Sequence, residues 1–342
     1  MSRLRIGTRA SALALAQTRG VADLLADGGL VRTEIVTLTT SGDRDVASGA
    51  DKSRWVDTIE DALLAGEIDL AVHSAKDLPG ELAGGLELLG APPRASVEDV
   101  LCLASEQPAD DGSGKDRDRR GVKNGDDGAP GDDWVSDRSA GLDRLPEGAR
   151  VGTSSIRRAA QLRAARADLD VVAMGGNVDT RLRLLAEGKF DAIVLARAGL
   201  QRLGREREIG AVLDPARFVP APGQGALALE ARAEDERVSE AVAAILDADT
   251  SACLQAERAL ARALDASCHT PLGAHAQAAG CGCLGLRAWV GLPDGSAWVA
   301  DELLGGFYDP VELGTRIAER MRAAGADELL AQAQEMTGVA GA

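Results

Sequence analysis

The chain has 342 residues, with 38 basic and 54 acidic side chains giving a net charge of -16. At about 150 residues per domain this length implies two or three domains with real cores, and the negative charge argues against a nucleic-acid or anionic-membrane surface while leaving room for a local basic pocket. Hydrophobic residues make up 45% and aromatic ones 2%, so the cores are Ala, Leu, Val and Ile, base-stacking platforms are nearly absent, and no apolar run approaches the roughly 18 residues of a membrane span.

Along the sequence, short apolar runs alternate with amphipathic stretches. LRIG precedes SALALAQTRGVADLLADG, TEIVTLT precedes WVDTIEDALLAG, and IDLAVHS follows. Later RVGT precedes SSIRRAAQLRAAR, and FDAIVLA precedes RAGLQRLG. Strand then helix, repeated, predicts an α/β architecture with mostly parallel sheets. The helices follow from spacing: Ile59, Leu63 and Leu64 share one face, as do Val178, Leu182 and Leu185. From Ser105 to about Arg144 the pattern fails, because DDGSGKDRDRRGVKNGDDGAPGDD offers almost no apolar surface to offset the entropy of ordering. That stretch is expected to be a disordered insertion. After about Asp247 comes one long helix (ACLQAERALARALDA), then alternating segments (LGLRAWVGL, SAWVADELL) and a final helix near Pro310 to Ala324, predicting a smaller C-terminal α+β domain.

Five cysteines, at 102, 253, 268, 281 and 283, show no CxxC spacing, and MSRLRIGTRAS lacks the apolar core of a signal peptide. A reducing cytoplasm is the expected compartment. Histidines occur only at 73, 269 and 275, with no spacing that completes a zinc site around Cys281 and Cys283, so no metal is expected.

An internal echo points to function. Arg5-Ile6-Gly7-Thr8, followed by Ser11 and Gln17, resembles Arg150-Val151-Gly152-Thr153, followed by Ser154, Ser155 and Gln161. A strand-to-Gly-Thr turn at a helix start aims backbone N–H groups and hydroxyls at one spot, which suits an anion, although Ser and Thr also simply cap helices. Arg9 in the first turn and Arg157 with Arg158 in the second favour the anion. In LAVHSAKDLPG, Lys76 and Asp77 follow an apolar strand, where open α/β sheets present functional groups. Asp77 there is a candidate general base or cation stabiliser, and an ion pair at a strand end is the plainer alternative. Arg181 and Arg202 extend the cradle through bidentate pairing. Gln224, flanked by glycines in PAPGQGALALEAR, reads equally as an interdomain hinge and as a polar ligand contact. Cys268 beside His269 does not make a hydrolase pair, because catalytic partners converge from distant segments.

Taken together, IGTRASALALAQ, AVHSAKDLP, VGTSSIRRAAQL, GNVDTRL, GQGALALE and SCHTPLG closely resemble the porphobilinogen deaminase family, in order and over nearly the whole chain outside 105–144. The resemblance implies three domains: two periplasmic-binding-protein-like lobes around a cleft, residues 1–97 with 221–246 and residues 98–220, and a smaller α+β domain at 247–342. It implies head-to-tail condensation of four porphobilinogen molecules with release of ammonia, on a dipyrromethane covalently held by Cys268. Asp77, with Lys76, is then the catalytic group, assisting loss of ammonia and stabilising the azafulvene cation and pyrrole nitrogens. Lys76, Thr153, Ser155, Arg157, Arg158 and Arg181 are implied to hold the cofactor, and Arg9, Ser11, Gln17, Arg202 and Gln224 the substrate. The expected partner is porphobilinogen, with neither nucleic acid nor membrane, and the expected state is a monomer.

Two departures stand out. Gly175 occupies the place of an arginine in the family's Arg-Gly-Asn-Val run, and the lid around 43–56 is shorter, with Lys52 matching one family lysine and Trp55 standing for the usual aromatic. Two alternatives therefore accompany the main reading: a diverged relative that builds a shorter pyrrole chain, and a noncatalytic two-lobed binder of small polycarboxylates.

Overall fold

The structure, a computed structural model, describes residues 3–27, 31–38, 53–104, 141–267, 269–280 and 282–338. The lid residues 43–52 with Lys52, the bulk of the predicted insertion, and Cys268 lie outside the described residues, and of Trp55 the backbone alone is described. The elements run β1 (Arg3–Arg9), α1 (Ala12–Asp27), β2 (Arg32–Leu38), α2 (Ser53–Leu64), β3 (Leu70–Ser74), β4 (Leu86–Gly90), β5 (Asp99–Leu103), β6 (Arg150–Gly152), α3 (Ile156–Ala165), β7 (Asp170–Val172), α4 (Val178–Ala186), β8 (Ala192–Ala196), α5 (Arg197–Arg202) and β9 (Ala211–Val212). They continue with β10 (Leu227–Arg232), α6 (Glu236–Ala243), α7 (Ala248–Ala263), β11 (Leu272–Ala279), β12 (Cys283–Gly291), β13 (Trp298–Gly306), α8 (Pro310–Ala323) and α9 (Ala326–Thr337).

Three sheets result. The first has the order β2-β1-β3-β10-β4 and the second β7-β6-β8-β5-β9. Strand for strand these are the same design, with β1 and β6 in the same position and each leading directly into a helix; Gly7 and Thr8 lie within β1, paired with Val36 and Thr37, so the turn expected at Gly-Thr in the first lobe falls instead at Ala10 and Ser11. The repeated Arg-x-Gly-Thr motif is thus the local trace of a repeated topology. In each sheet one strand runs against the rest: β10 is antiparallel to β3 and β4, and β5 to β8 and β9. Half of the pairings in these two sheets are therefore antiparallel, a correction to the mostly parallel expectation. The physical reason is that β10 and β5 are contributed from across the chain, so no helical crossover is needed to set their direction.

Both large sheets are covered on both faces, which explains why LAVHS, DVLCL and AIVLA read as nearly continuous apolar runs. On one face of the first sheet Leu4, Ile6, Leu70, Val72 and Leu229 pack against Val21 and Leu25 of α1 and Val238 and Val242 of α6. On the other, Ile59 and Leu63 of α2 pack on Ala71. Leu64, predicted to share that face, is 47% exposed, because α2 ends there. The insertion is also shorter than expected at its end: Leu142 and Leu145 are buried in the core of the second sheet. The third sheet, β11-β12-β13, is an antiparallel meander with α7, α8 and α9 packed on one face. α9 was not anticipated. Its buried residues Ala326, Leu330 and Ala333 are spaced correctly for a helix but are mostly alanine, which gives a weak apolar signal.

The chain crosses between the first two sheets at 91–98 and at 213–226, and the third sheet is fastened to these crossings. Glu257 of α7, fully buried, accepts two bonds from the Arg94 guanidinium at 2.7 and 3.0 Å, one from Gly223 N at 2.6 Å and one from Ala276 N at 2.7 Å. Gly223 and Gly225 have φ of 75° and 85°, and a Cβ on Gly225 would lie 2.6 Å from the Ala95 carbonyl oxygen. The glycines around Gln224 are thus required by left-handed backbone and by close contact between the two crossings.

Candidate active site

Two clusters of predicted residues form at the ends of β1, β3 and β6. The first is a cleft in the first lobe lined by Arg9, Ser11, Gln17, His73, Ser74 and Asp77. Arg9 ends β1, Ser11 precedes α1, and Asp77 closes a single 3-10 turn, Ala75–Asp77, that follows β3 directly. The turn places a carboxylate at the lip of a buried strand. Gln17, nearly buried, donates to Ser74 Oγ at 2.7 Å, so Ser74 belongs to this wall although sequence reasoning did not select it. Ser11 Oγ accepts from Ala14 N at 3.3 Å, and Ser155 Oγ accepts from Arg158 N at 3.4 Å. Both serines therefore serve as helix caps in this structure.

The second cluster is organised by Asp99, which sequence reasoning missed. Its carboxylate receives Arg157 at 2.8 Å, Arg158 at 2.8 and 3.0 Å, and Gln224 Nε2 at 2.7 Å. Burial opposes the Asp99 charge, yet Arg157 and Arg158 hold its carboxyl far below the usual carboxylate range. Both arginines are themselves buried, and Arg157 also donates to the Val219 carbonyl at 2.7 Å. Gln224 is fully engaged: Nε2 also donates to the Val97 carbonyl at 2.7 Å, while Oε1 accepts from Lys76 Nζ at 3.3 Å and from Arg158 at 3.5 Å. It joins Lys76 of the first lobe to Arg158 of the second, as the hinge reading expects. No signal in the sequence separates Asp99 from any aspartate at a strand start.

Arg181 and Arg202 are placed differently. Arg181 donates to the Gly176 carbonyl at 2.8 Å and to Ser154 Oγ at 2.7 Å, and Arg202 to the Gly225 carbonyl at 2.8 Å. Neither has a carboxylate partner among the described residues. Burial pulls both down to about 10, and for Arg181 the charge of Arg158 adds to this. Both remain cationic at neutral pH. Half-buried guanidiniums satisfied only by neutral acceptors lose free energy by desolvation that an arriving carboxylate returns. Thr153, buried at the turn after β6, accepts from Ser155 N at 3.2 Å. Locally the cations Lys76, Arg157, Arg158, Arg181 and Arg202 outnumber Asp99, so an acidic protein carries a basic junction between its lobes.

The thiols of Cys102 and Cys253 are buried, and burial pushes them up to about 12 and about 11. Neither is a nucleophile at neutral pH.

Residues 4–117 and 125–240 match the family described as porphobilinogen deaminase, dipyromethane cofactor binding domain, and residues 251–323 match porphobilinogen deaminase, C-terminal domain. The chain belongs to the porphobilinogen deaminase family. The porphobilinogen deaminase of Deinococcus radiodurans is 41% identical over 342 residues, covering 98% of this chain and all of that one. That of Stenotrophomonas maltophilia strain R551-3 is 43% identical over 336 residues, covering 96% and 99%. Among solved structures, the periplasmic aliphatic sulphonate binding protein SsuA from Escherichia coli aligns with a TM-score of 0.39 at 16% identity, over 78% of this chain and 71% of that one. The porphobilinogen deaminase cofactor-binding match spans both Gly-Thr motifs and both clusters. Among the described residues no helix is long and apolar enough to cross a membrane.

Proposed function

We propose that this member of the porphobilinogen deaminase family condenses four porphobilinogen molecules head to tail with release of ammonia, building the chain on a dipyrromethane attached through Cys268 and releasing it with water as hydroxymethylbilane. The observation that carries the reading is the juxtaposition of the Asp77 cleft with a junction where Arg181 and Arg202 are cationic and matched only by neutral acceptors. That junction fits a dipyrromethane, whose acetate and propionate groups are the carboxylates such arginines take. Lys76, Thr153, Ser155, Arg157, Arg158 and Arg181 hold it, with Arg157 and Arg158 kept in place by Asp99. When bound it supplies the pyrrole carbon that receives the first unit.

The chain's own residues do the rest. Arg9, Ser11, Gln17 and Arg202 orient the carboxylates of porphobilinogen, and Gln224 acts as a positioning residue between the lobes. As the carbon–nitrogen bond breaks, ammonia leaves and positive charge spreads over the substrate pyrrole. Asp77 stabilises that charge, as a fixed anion in a partly dehydrated cleft does best. After the carbon–carbon bond forms, Asp77 takes up the proton from the joined pyrrole carbon. We further propose domain limits of 1–97 with 221–246, 98–220 and 247–342, supported by the membership of strands in the three sheets, and a cytoplasmic monomer, supported by the family resemblance and the cysteine usage.

The test is ammonia release by the purified protein supplied with porphobilinogen, with uroporphyrin I recovered after acid oxidation. No release and no uroporphyrin would overturn the catalytic reading and favour a polycarboxylate binder. The same assay examines Gly175. It is exposed, and a Cβ there meets no atom within 4 Å, so a side chain can start there without displacing a neighbour. Gly175→Arg is expected to raise turnover several-fold or lengthen the released chain; unchanged kinetics and product would show that another cation already fills that role.

A further inference from the structure

A cavity of about 470 Å³ lies between the first lobe and α7, and it shares no lining residue with the Asp77 cleft. Its walls include Gly80 and Glu81 from the loop after Asp77, Leu254 and Gln255 of α7, and Arg258 and Arg262 one and two helical turns further along the same helix. Residues four apart on a helix share a face, with Cβ atoms about 6 Å apart, so two guanidiniums border one space.

Among the described residues their charges have no ionic partner. Arg258 is 8% exposed and donates to the Gly80 carbonyl at 3.0 Å. Neither arginine has a carboxylate within ion-pair distance among the described residues. Glu230, the acidic side chain that acts on Arg258 electrostatically, lies beyond ion-pair distance of it, with His73 Nε2 2.8 Å from its carboxylate. Burial, followed by the charge of Arg262, lowers Arg258 from its ordinary value. A buried cation is ordinarily paired, because leaving it otherwise wastes its hydration. Glu81 in the same wall reduces the local excess to about one positive charge, which suits a compact anion better than a polyanion.

We propose that this cavity is a second anion site, taking a compact oxyanion, carboxylate or phosphate, held by the guanidinium forks of Arg258 and Arg262. The aliphatic stem of Arg262 already packs on Gly80, where a Cβ would lie 3.3 Å from its Cγ. An occupant therefore ties the segment after Asp77 to α7 and steadies it. The inference does not rest on catalysis, and its test does not read turnover.

The test titrates the full-length protein at constant ionic strength with succinate and, separately, with inorganic phosphate by calorimetry, and follows amide exchange in residues 78–90. The expected result is saturable binding of one equivalent of at least one probe, with slower exchange in 78–90. Arg262 is exposed, so Arg262→Gln should fold normally and weaken binding at least tenfold. Arg258→Lys, which keeps the charge and loses the fork, should also weaken it. Arg9→Ala, in the other cleft, should leave it unchanged. Which probe binds decides between a carboxylate and a phosphate source. No saturable binding, binding that Arg262→Gln leaves intact, or binding that Arg9→Ala abolishes would overturn the proposal.

Discussion

Asp77→Asn is expected to lower turnover of porphobilinogen by about 10²- to 10⁴-fold, the range associated with a positioned acid–base group, while leaving the fold and the covalent cofactor in place. The amide keeps the shape of the carboxylate at the end of the Ala75–Asp77 turn, so the cleft of Arg9, Ser11, Gln17 and Ser74 keeps its lining. What disappears is a negative charge where positive charge develops, together with the ability to accept a proton. The effect should fall on kcat more than on KM, because the substrate carboxylates are recognised by other residues. The check is steady-state kinetics alongside the intact mass of the variant. Near-normal turnover in cofactor-loaded Asp77→Asn would remove Asp77 from the central role.

Glu257→Ala is expected to cost about 3–5 kcal/mol, the usual penalty for stripping one partner from a buried ion pair. Glu257 accepts four hydrogen bonds with no exposure, and its removal leaves the Arg94 guanidinium and the Gly223 and Ala276 amides without their acceptor. Those partners belong to the first crossing, the second crossing and the third sheet. The substitution therefore loosens all three at once, and a lowered melting temperature should be accompanied by faster amide exchange at 91–98 and 221–226. Glu257→Gln keeps the volume and part of the bonding and should fall between the two. An unchanged melting temperature for Glu257→Ala would contradict this account of how the domains are fastened.

What the sequence disclosed was local. A strand, a Gly-Thr pair and a helix start lie within about a dozen residues, so Arg5–Gln17 and Arg150–Gln161 pointed to two similar lobes, whereas the grouping of Asp77 with Arg9, Ser11 and Gln17, which the structure places around one cleft, came from the family resemblance. Non-local pairings left no such trace. Nothing in LALEAR shows that β10 pairs with Leu70–Ser74 rather than with its sequence neighbours, and so the antiparallel strand in each sheet went unforeseen. The arginines illustrate the same limit. Sequence marks Arg157, Arg158, Arg181 and Arg202 as anion receivers, but it cannot say whether the anion is a ligand or a protein carboxylate. The fold gives them different partners: Asp99 bonds the first two and fixes their place at the junction, while the last two are matched only by carbonyl and hydroxyl groups. Asp99, Ser74 and Glu257 were unreadable for a related reason, since a buried polar residue gains its meaning only from partners distant in the chain.

The most direct test of the central claim is the intact mass of the denatured, purified protein, alone and after brief exposure to porphobilinogen, with Cys268→Ser as the control. The account predicts a two-pyrrole adduct that depends on Cys268 and grows by successive pyrrole units when substrate is added. An unmodified mass throughout, in folded protein given the opportunity to load, would contradict it.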